Sequence, residues 1–104
     1  MKKYEIMYIL SPRLDTKDIQ NITDNIKNIF KEGKIFQFKE PELKTLAYPI
    51  KKHLKGFYIE ILVEADNEMI ANFYHILKVK KEDIIRSIVL NTIEERNKKI
   101  KENN

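Results

Sequence analysis

Residues Lys44 to Glu64, KTLAYPIKKHLKGFYIEILVE, join two strand patterns through a basic reversal. Leu46, Ala47, Tyr48 and Ile50 make an incoming arm, and Lys51, Lys52, His53, Leu54, Lys55 and Gly56 read as the turn. Phe57 to Glu64 then alternates as a half-buried strand does. Because side chains in a strand change face at every residue, Phe57, Ile59, Ile61 and Val63 should meet a packing layer, which turns Tyr58, Glu60, Leu62 and Glu64 the other way. The turn itself holds three lysines and a histidine, a composition suited to phosphate.

On the N-terminal side of this hairpin, the segment KIFQFKEPELKTLAYPI from Lys34 carries Pro41 and Pro49. Proline cannot donate to a ladder on both sides, so this is expected to be an edge strand, bent or bulged. Before it, Ile19, Ile22, Ile26, Ile29 and Phe30 recur at helical spacing, with Asp15 placed to cap the helix and Gly33 to stop it in a left-handed conformation. Tyr4 to Leu10, YEIMYIL, is apolar on both faces apart from Glu5, as a central strand covered on both sides would be. On the C-terminal side, Asp66 or Asn67 caps a second helix in which Ile70, Phe73 and Leu77 share a face, with Tyr74 beside it. A basic patch of Lys78, Lys80 and Lys81 follows, and a last strand is expected from Ile84 to Ile93. The tail, EERNKKIKENN (94–104), reads as frayed or as a short unpacked helix.

The order β-α-β-β-α-β predicts an α+β fold, a four-stranded antiparallel sheet with both helices on one face and one domain over residues 1–93. The first and third strands should lie in the middle, which agrees with the proline placement and with the doubly apolar first strand. At 104 residues and 42% apolar content, the chain suffices for one core. Its net charge of +4 is mildly basic. Lack of cysteine excludes disulfides, thiolate nucleophiles and cysteine-ligated metals. No apolar run approaches the roughly 20 residues needed to cross a bilayer, and the start is a strand pattern, so a soluble, unexported protein is expected.

The sheet face away from the helices should be bare. Parity places Glu5, Met7 and Ile9, then Tyr58 and Leu62, then Arg86, Ile88 and Leu90 on it. So much apolar surface suits a protein partner, on Met7, Ile9, Tyr58, Leu62, Ile88 and Leu90. The alternative is that the tail or the long second segment folds back over it.

The start MKKYEIMYIL, the segment LAYPIKK (Leu46 to Lys52), the hairpin ending GFYIEILVEA and the late IIRSIVL resemble the family of the sixth protein of the bacterial small ribosomal subunit, over nearly the whole chain. LAYPI is the most specific piece. Family members usually have glycine where this chain has Glu42, a larger polar or charged residue at Thr45, and often a basic residue at Asn91. The resemblance implies a ferredoxin-like fold, binding to the central domain of small-subunit ribosomal RNA, pairing with the eighteenth small-subunit protein, a cytoplasmic or organellar ribosome as location, and no cofactor.

The residues supply their own, coarser case for RNA. Lys2 and Lys3 adjoin Tyr4 at the start of a central strand, so that cations and an aromatic ring stand together to reach phosphates and stack on a base. Lys44, Lys51, Lys52 and Lys55 flank or form the hairpin tip. Arg86 matches a basic position of the family and has a planar fork suited to phosphate; it could equally pair with Glu5 or Glu60 on its own face. A rival with the same topology, the RNA-recognition motif, is met by Lys55, Gly56 and Phe57 and then fails, because Tyr58 fills the small position, Ile59 replaces a stacking aromatic and Glu60 would enter the core. The two differ in the direction of Phe57. A ferredoxin-like small hydrolase or regulatory domain is the third class, but His53 and His75 have no carboxylate at an orienting spacing and no phosphate loop or nucleophile elbow is present. No catalytic residue is assigned.

Overall fold

The computed structural model describes residues 1–91. Six elements follow in the order β1 (Lys2–Leu10), α1 (Thr16–Ile29), β2 (Lys34–Ile50), β3 (His53–Ala65), α2 (Asn67–Val79) and β4 (Ile84–Asn91). The four strands form one antiparallel sheet in the order β2-β3-β1-β4, with the first and third strands central. Continuation of the last strand to Ile93, and the tail, lie outside the described residues.

Both helix starts are fixed by carboxylates. Asp15 accepts from the Asp18 N–H at 2.8 Å, and Asp66 accepts from the Met69 N–H at 2.9 Å, each meeting a backbone donor that no helical carbonyl can reach. The helices cover one side of the sheet, where Ile6, Tyr8, Ile59, Ile61 and Val63 meet Ile22, Ile26, Phe30, Met69 and Phe73. Phe73 sits at the centre, with its ring centroid 6.3 Å from that of Tyr8 and 6.0 Å from that of Phe30. Such tilted pairs contribute about 0.5–1.5 kcal/mol each beyond the area they bury. Phe57 also packs against this core, the direction that the alternation of β3 requires and that an RNA-recognition motif forbids.

Two glycines serve purposes other than those their sequence context suggests. Gly33 does not adopt a left-handed conformation; the helix closes at Phe30, whose N–H donates to the Lys27 carbonyl. Gly33 is instead held against β3, where a Cβ would collide with the Glu64 carbonyl oxygen. The reversal expected over Lys51–Gly56 is shorter. Ile50 pairs with His53, leaving Lys51 and Lys52 as a two-residue loop with φ of 49° and 69°. Two successive positive φ values define the turn whose twist matches the flanking strands. His53 to Gly56 therefore belong to β3, and Gly56 is a strand residue whose missing Cβ leaves room for the Ile9 side chain.

The edge strand β2 is irregular. Sixteen steps from Lys34 to Ile50 face only eleven from Glu64 to His53, and the surplus is taken up at shifts between Ile35 and Gln37, Lys39 and Glu42, and Thr45 and Ile50. Pro41 and Pro49 fall inside the second and third shifts, where no ladder donor is needed.

Candidate functional site

The sheet face away from the helices is built from three cross-strand rows: Glu5 with Leu62 and Leu90, Met7 with Glu60 and Ile88, and Ile9 with Tyr58 and Arg86. Its two ends differ. At the hairpin end, the bulged stretch of β2 between Thr45 and Ile50 brings Leu46 over the sheet. Ile9, Leu46 and Ile85 become buried there, with Met7, Ile50 and Tyr58 packed around them. Ile85 reaches this side through a register shift between β1 and β4 opposite Ile9 and Leu10. Ile9 is only 2% exposed, so it belongs to this face but not to any open surface. The long second segment thus folds back over one half of the face.

The other half is open. Glu5, Met7, Gln37, Glu60, Leu62, Ile88 and Leu90 surround a shallow depression of about 320 Å³. Ile88 and Leu90 are 37% and 38% exposed, and Met7, Tyr58 and Leu62 are half-buried.

The cations divide between the two ends of the sheet. Lys2 and Lys3, both exposed, lie opposite Ala65 and Glu64, and Lys34 flanks Glu64 from β2. Tyr4, expected to stand free beside them, packs on the helix-side core, because parity turns it inward with Ile6 and Tyr8. The accessible aromatic at this end is Phe36, extruded where β2 shifts register; Lys3 Nζ and Lys34 Nζ lie 4.9 and 4.8 Å from its ring centroid. At the opposite end, Lys51 and Lys52 are exposed on the hairpin tip, and Lys51 Nζ donates to the Lys81 carbonyl at 3.0 Å. The thirteen residues of β3 separate these two ends by about 40 Å. Lys55 is exposed opposite Thr45, whereas Lys44 lies over the Tyr58 ring at 5.4 Å with Glu42 4.0 Å away.

Arg86 is exposed and pairs with neither Glu5 nor Glu60. Glu60 is held by Lys39 at 2.9 Å, an exposed ion pair worth about 0–1 kcal/mol, and Arg86 has no ion-pair partner among the described residues. It borders a recess of about 160 Å³ with Tyr48, Tyr58 and Ile88.

Among the described residues no group of three His, Cys, Asp or Glu side chains could hold a metal ion, and no helix is long and apolar enough to cross a membrane. Burial raises the Tyr8 phenol well above its ordinary pKa, and the neighbouring Thr23 hydroxyl offsets this only in part. Among the described residues neither hydroxyl has a partner in hydrogen-bonding geometry. That pair lies in the helix-side core, on the far side of the sheet from the open depression.

Phe36 and Lys34 enter this description without having been singled out, while Leu46 and Lys81, read in the sequence as strand arm and basic patch, prove to be the roof of the face and the acceptor for Lys51. Lys34 and Phe36 are adjacent in the pattern KIF, a cation two residues from an aromatic, but only the register shift exposes that ring.

The result is a two-layer α+β domain with one sheet face half open and cations at both ends of the sheet. A family model for ribosomal protein S6 matches residues 3–91. The small ribosomal subunit protein bS6 of Phytoplasma australiense is 45% identical over 92 residues, covering 86% of this chain and 98% of that protein. The bS6 of Acholeplasma laidlawii is 41% identical over 90 residues, covering 85% and 94%. The crystal structure of 30S ribosomal protein S6 from Thermotoga maritima superposes with a TM-score of 0.75 at 26% identity, covering 99% of this chain and 98% of the other, which makes the fold ferredoxin-like. The chain belongs to the ribosomal protein S6 family, a structural, non-enzymatic family of the small ribosomal subunit.

Proposed function

We propose that this protein binds the central domain of small-subunit ribosomal RNA jointly with the eighteenth small-subunit protein, in the cytoplasm. The observation that carries this reading is the half-open face. The chain seals the hairpin end of its own sheet with Leu46 and leaves Leu62, Ile88 and Leu90 around a depression that a protein side chain can fill. Exposed apolar surface rimmed by charge is what partner docking needs. Lys2, Lys3, Lys44, Lys51, Lys52, Lys55 and Arg86 then meet phosphates, while the bound cationic partner supplements a modest net charge of +4.

The test is a titration against a central-domain RNA fragment, with and without the partner protein, at several salt concentrations. Wild-type protein should bind at least tenfold tighter with the partner present and lose affinity as salt rises. Ile88→Glu with Leu90→Glu should remove the partner's effect, and reversing Lys2, Lys3 and Arg86 should weaken assembly, both leaving the urea midpoint near that of wild type. Affinity that ignores both partner and salt would refute the proposal.

A further inference from the structure

We infer that the hairpin tip and the α2–β4 turn form a single second RNA-phosphate platform, carried by Lys51, Lys52, Lys80 and Lys81, which engages a stretch of RNA separate from the one met by Lys2 and Lys3. This deepens the proposed function and rests on it.

The hydrogen bond from Lys51 Nζ to the Lys81 carbonyl spans 30 residues of sequence and ties the tip of the hairpin to the turn that follows α2. All four lysines are exposed. The turn between the helix and β4 is itself fixed: the Asp83 and Ile84 N–H groups donate to the Lys80 carbonyl, and the Asp83 carbonyl accepts from the Ser11 N–H at 2.7 Å. Glu82 and the half-buried Asp83 are the acids of this turn, so four cations face two anions, and no ion pair joins them among the described residues. Lys52, Lys80 and Lys81 thus have no ion-pair partner among the described residues, and Lys51 keeps two of its three N–H donors for an outside anion.

Phosphate fits better than an acidic protein surface. Protein interface cores are depleted of lysine, whereas a row of point charges on a fixed backbone is what positions nucleic acid. Distance makes this platform independent of the other. About 40 Å of β3 separates it from Lys2 and Lys3, several times the Debye length of about 8 Å at physiological ionic strength, so neither cluster senses the other's charge.

The experiment is the same titration, with partner protein and a central-domain RNA fragment, comparing Lys80→Gln with Lys81→Gln, Lys2→Gln with Lys3→Gln, all four changes together, and Lys17→Gln with Lys31→Gln as a control on exposed charges of α1 and of the turn that follows it. Each ligated phosphate adds about 0.7–0.9 to the slope of log affinity against log salt. Between 50 and 200 mM salt, the Lys80/Lys81 variant should thus lose about 7- to 12-fold less affinity than wild type. The Lys2/Lys3 variant should behave similarly, and the fourfold variant should show the sum. Lys80 ends α2, so Lys81→Gln alone, with half the effect, stands in if the double change shifts the urea midpoint. A wild-type slope in the Lys80/Lys81 variant beside a shallow one in the Lys2/Lys3 variant overturns this inference and leaves the proposed function standing. Wild-type slopes in both overturn the two together, and an equal effect in the control reduces the platform to general charge.

Discussion

Lys52 is a lysine where the backbone asks for glycine. With φ at 69°, it is the second of two left-handed residues in the hairpin loop, next to Lys51 at 49°. An L-residue in this region gives up about 1–2 kcal/mol to the contact between Cβ and the carbonyl oxygen, which glycine lacks. Glycine's freer unfolded chain returns about 0.5–1 kcal/mol of that. Lys52→Gly is therefore expected to stabilise the protein by about 0.5–1 kcal/mol, a rise in Tm of about 2–8 °C for a domain of this size. Lys52→Val should destabilise it by more than about 1 kcal/mol, since a β-branched residue tolerates positive φ least. Urea denaturation reads both, and the dependence of ΔG on urea should be unchanged, because neither substitution alters the amount of surface that unfolding exposes. If glycine lowers stability, or valine equals lysine, the two-residue loop is not as described. Under the proposed RNA binding, the glycine variant should bind more weakly than wild type although it is more stable, because it lacks the Lys52 ammonium.

Three further outcomes follow from packing and helix capping. Gly33→Ala should destabilise by about 2–3 kcal/mol, because its methyl meets the Glu64 backbone carbonyl, and Gly56→Ala by less, because the Ile9 Cγ2 it meets belongs to a side chain, which can shift more cheaply than a backbone carbonyl; urea midpoints of the two variants compare them. Tyr8→Phe should change stability at neutral pH by less than about 1 kcal/mol, as the hydroxyl it removes has no hydrogen-bond partner among the described residues. Folding raises the pKa of this phenol above 10, so its contribution is intact below pH 10 and is lost as the pH climbs beyond it, at up to about 1.4 kcal/mol per pH unit; the difference between wild type and Tyr8→Phe in alkaline denaturation should carry that slope. Asp66→Ala should cost about 1 kcal/mol by thermal melting, through loss of the acceptor for the Met69 N–H.

The strand order was legible because two independent signals, the prolines of β2 and the doubly apolar β1, agree on which strands lie at the edge. Parity along β3 likewise assigned Ile59, Ile61 and Val63 to the core and Leu62 and Tyr58 to the far face. Parity says which side a residue is on, but not what else covers that side. Ile9 differs from expectation for this reason, being roofed by Leu46 through a bulge between Thr45 and Ile50, whereas Tyr4 differs because the expectation of a free ring went against the parity of its own strand, which turns it in with Ile6 and Tyr8. The glycines misled in a complementary way. A glycine signals either a backbone conformation or a missing side chain, and at Gly33 and Gly56 it is the second, while the left-handed residues are lysines with no sequence mark of their role. LAYPI, the most specific family segment, is also the stretch that roofs the hairpin end of the face.

The uneven course of β2 has a consequence for the chain before it reaches the ribosome. A free, even edge strand invites a second copy to extend the sheet, and a newly made component awaiting its site is exposed to that risk. Seventeen residues interrupted by three offsets, two of them holding a proline, offer no run of evenly spaced donors for another molecule to zip onto. The same surplus length that roofs one half of the open face thereby makes this edge, unlike the more regular edge strand β4, a poor template for a second chain.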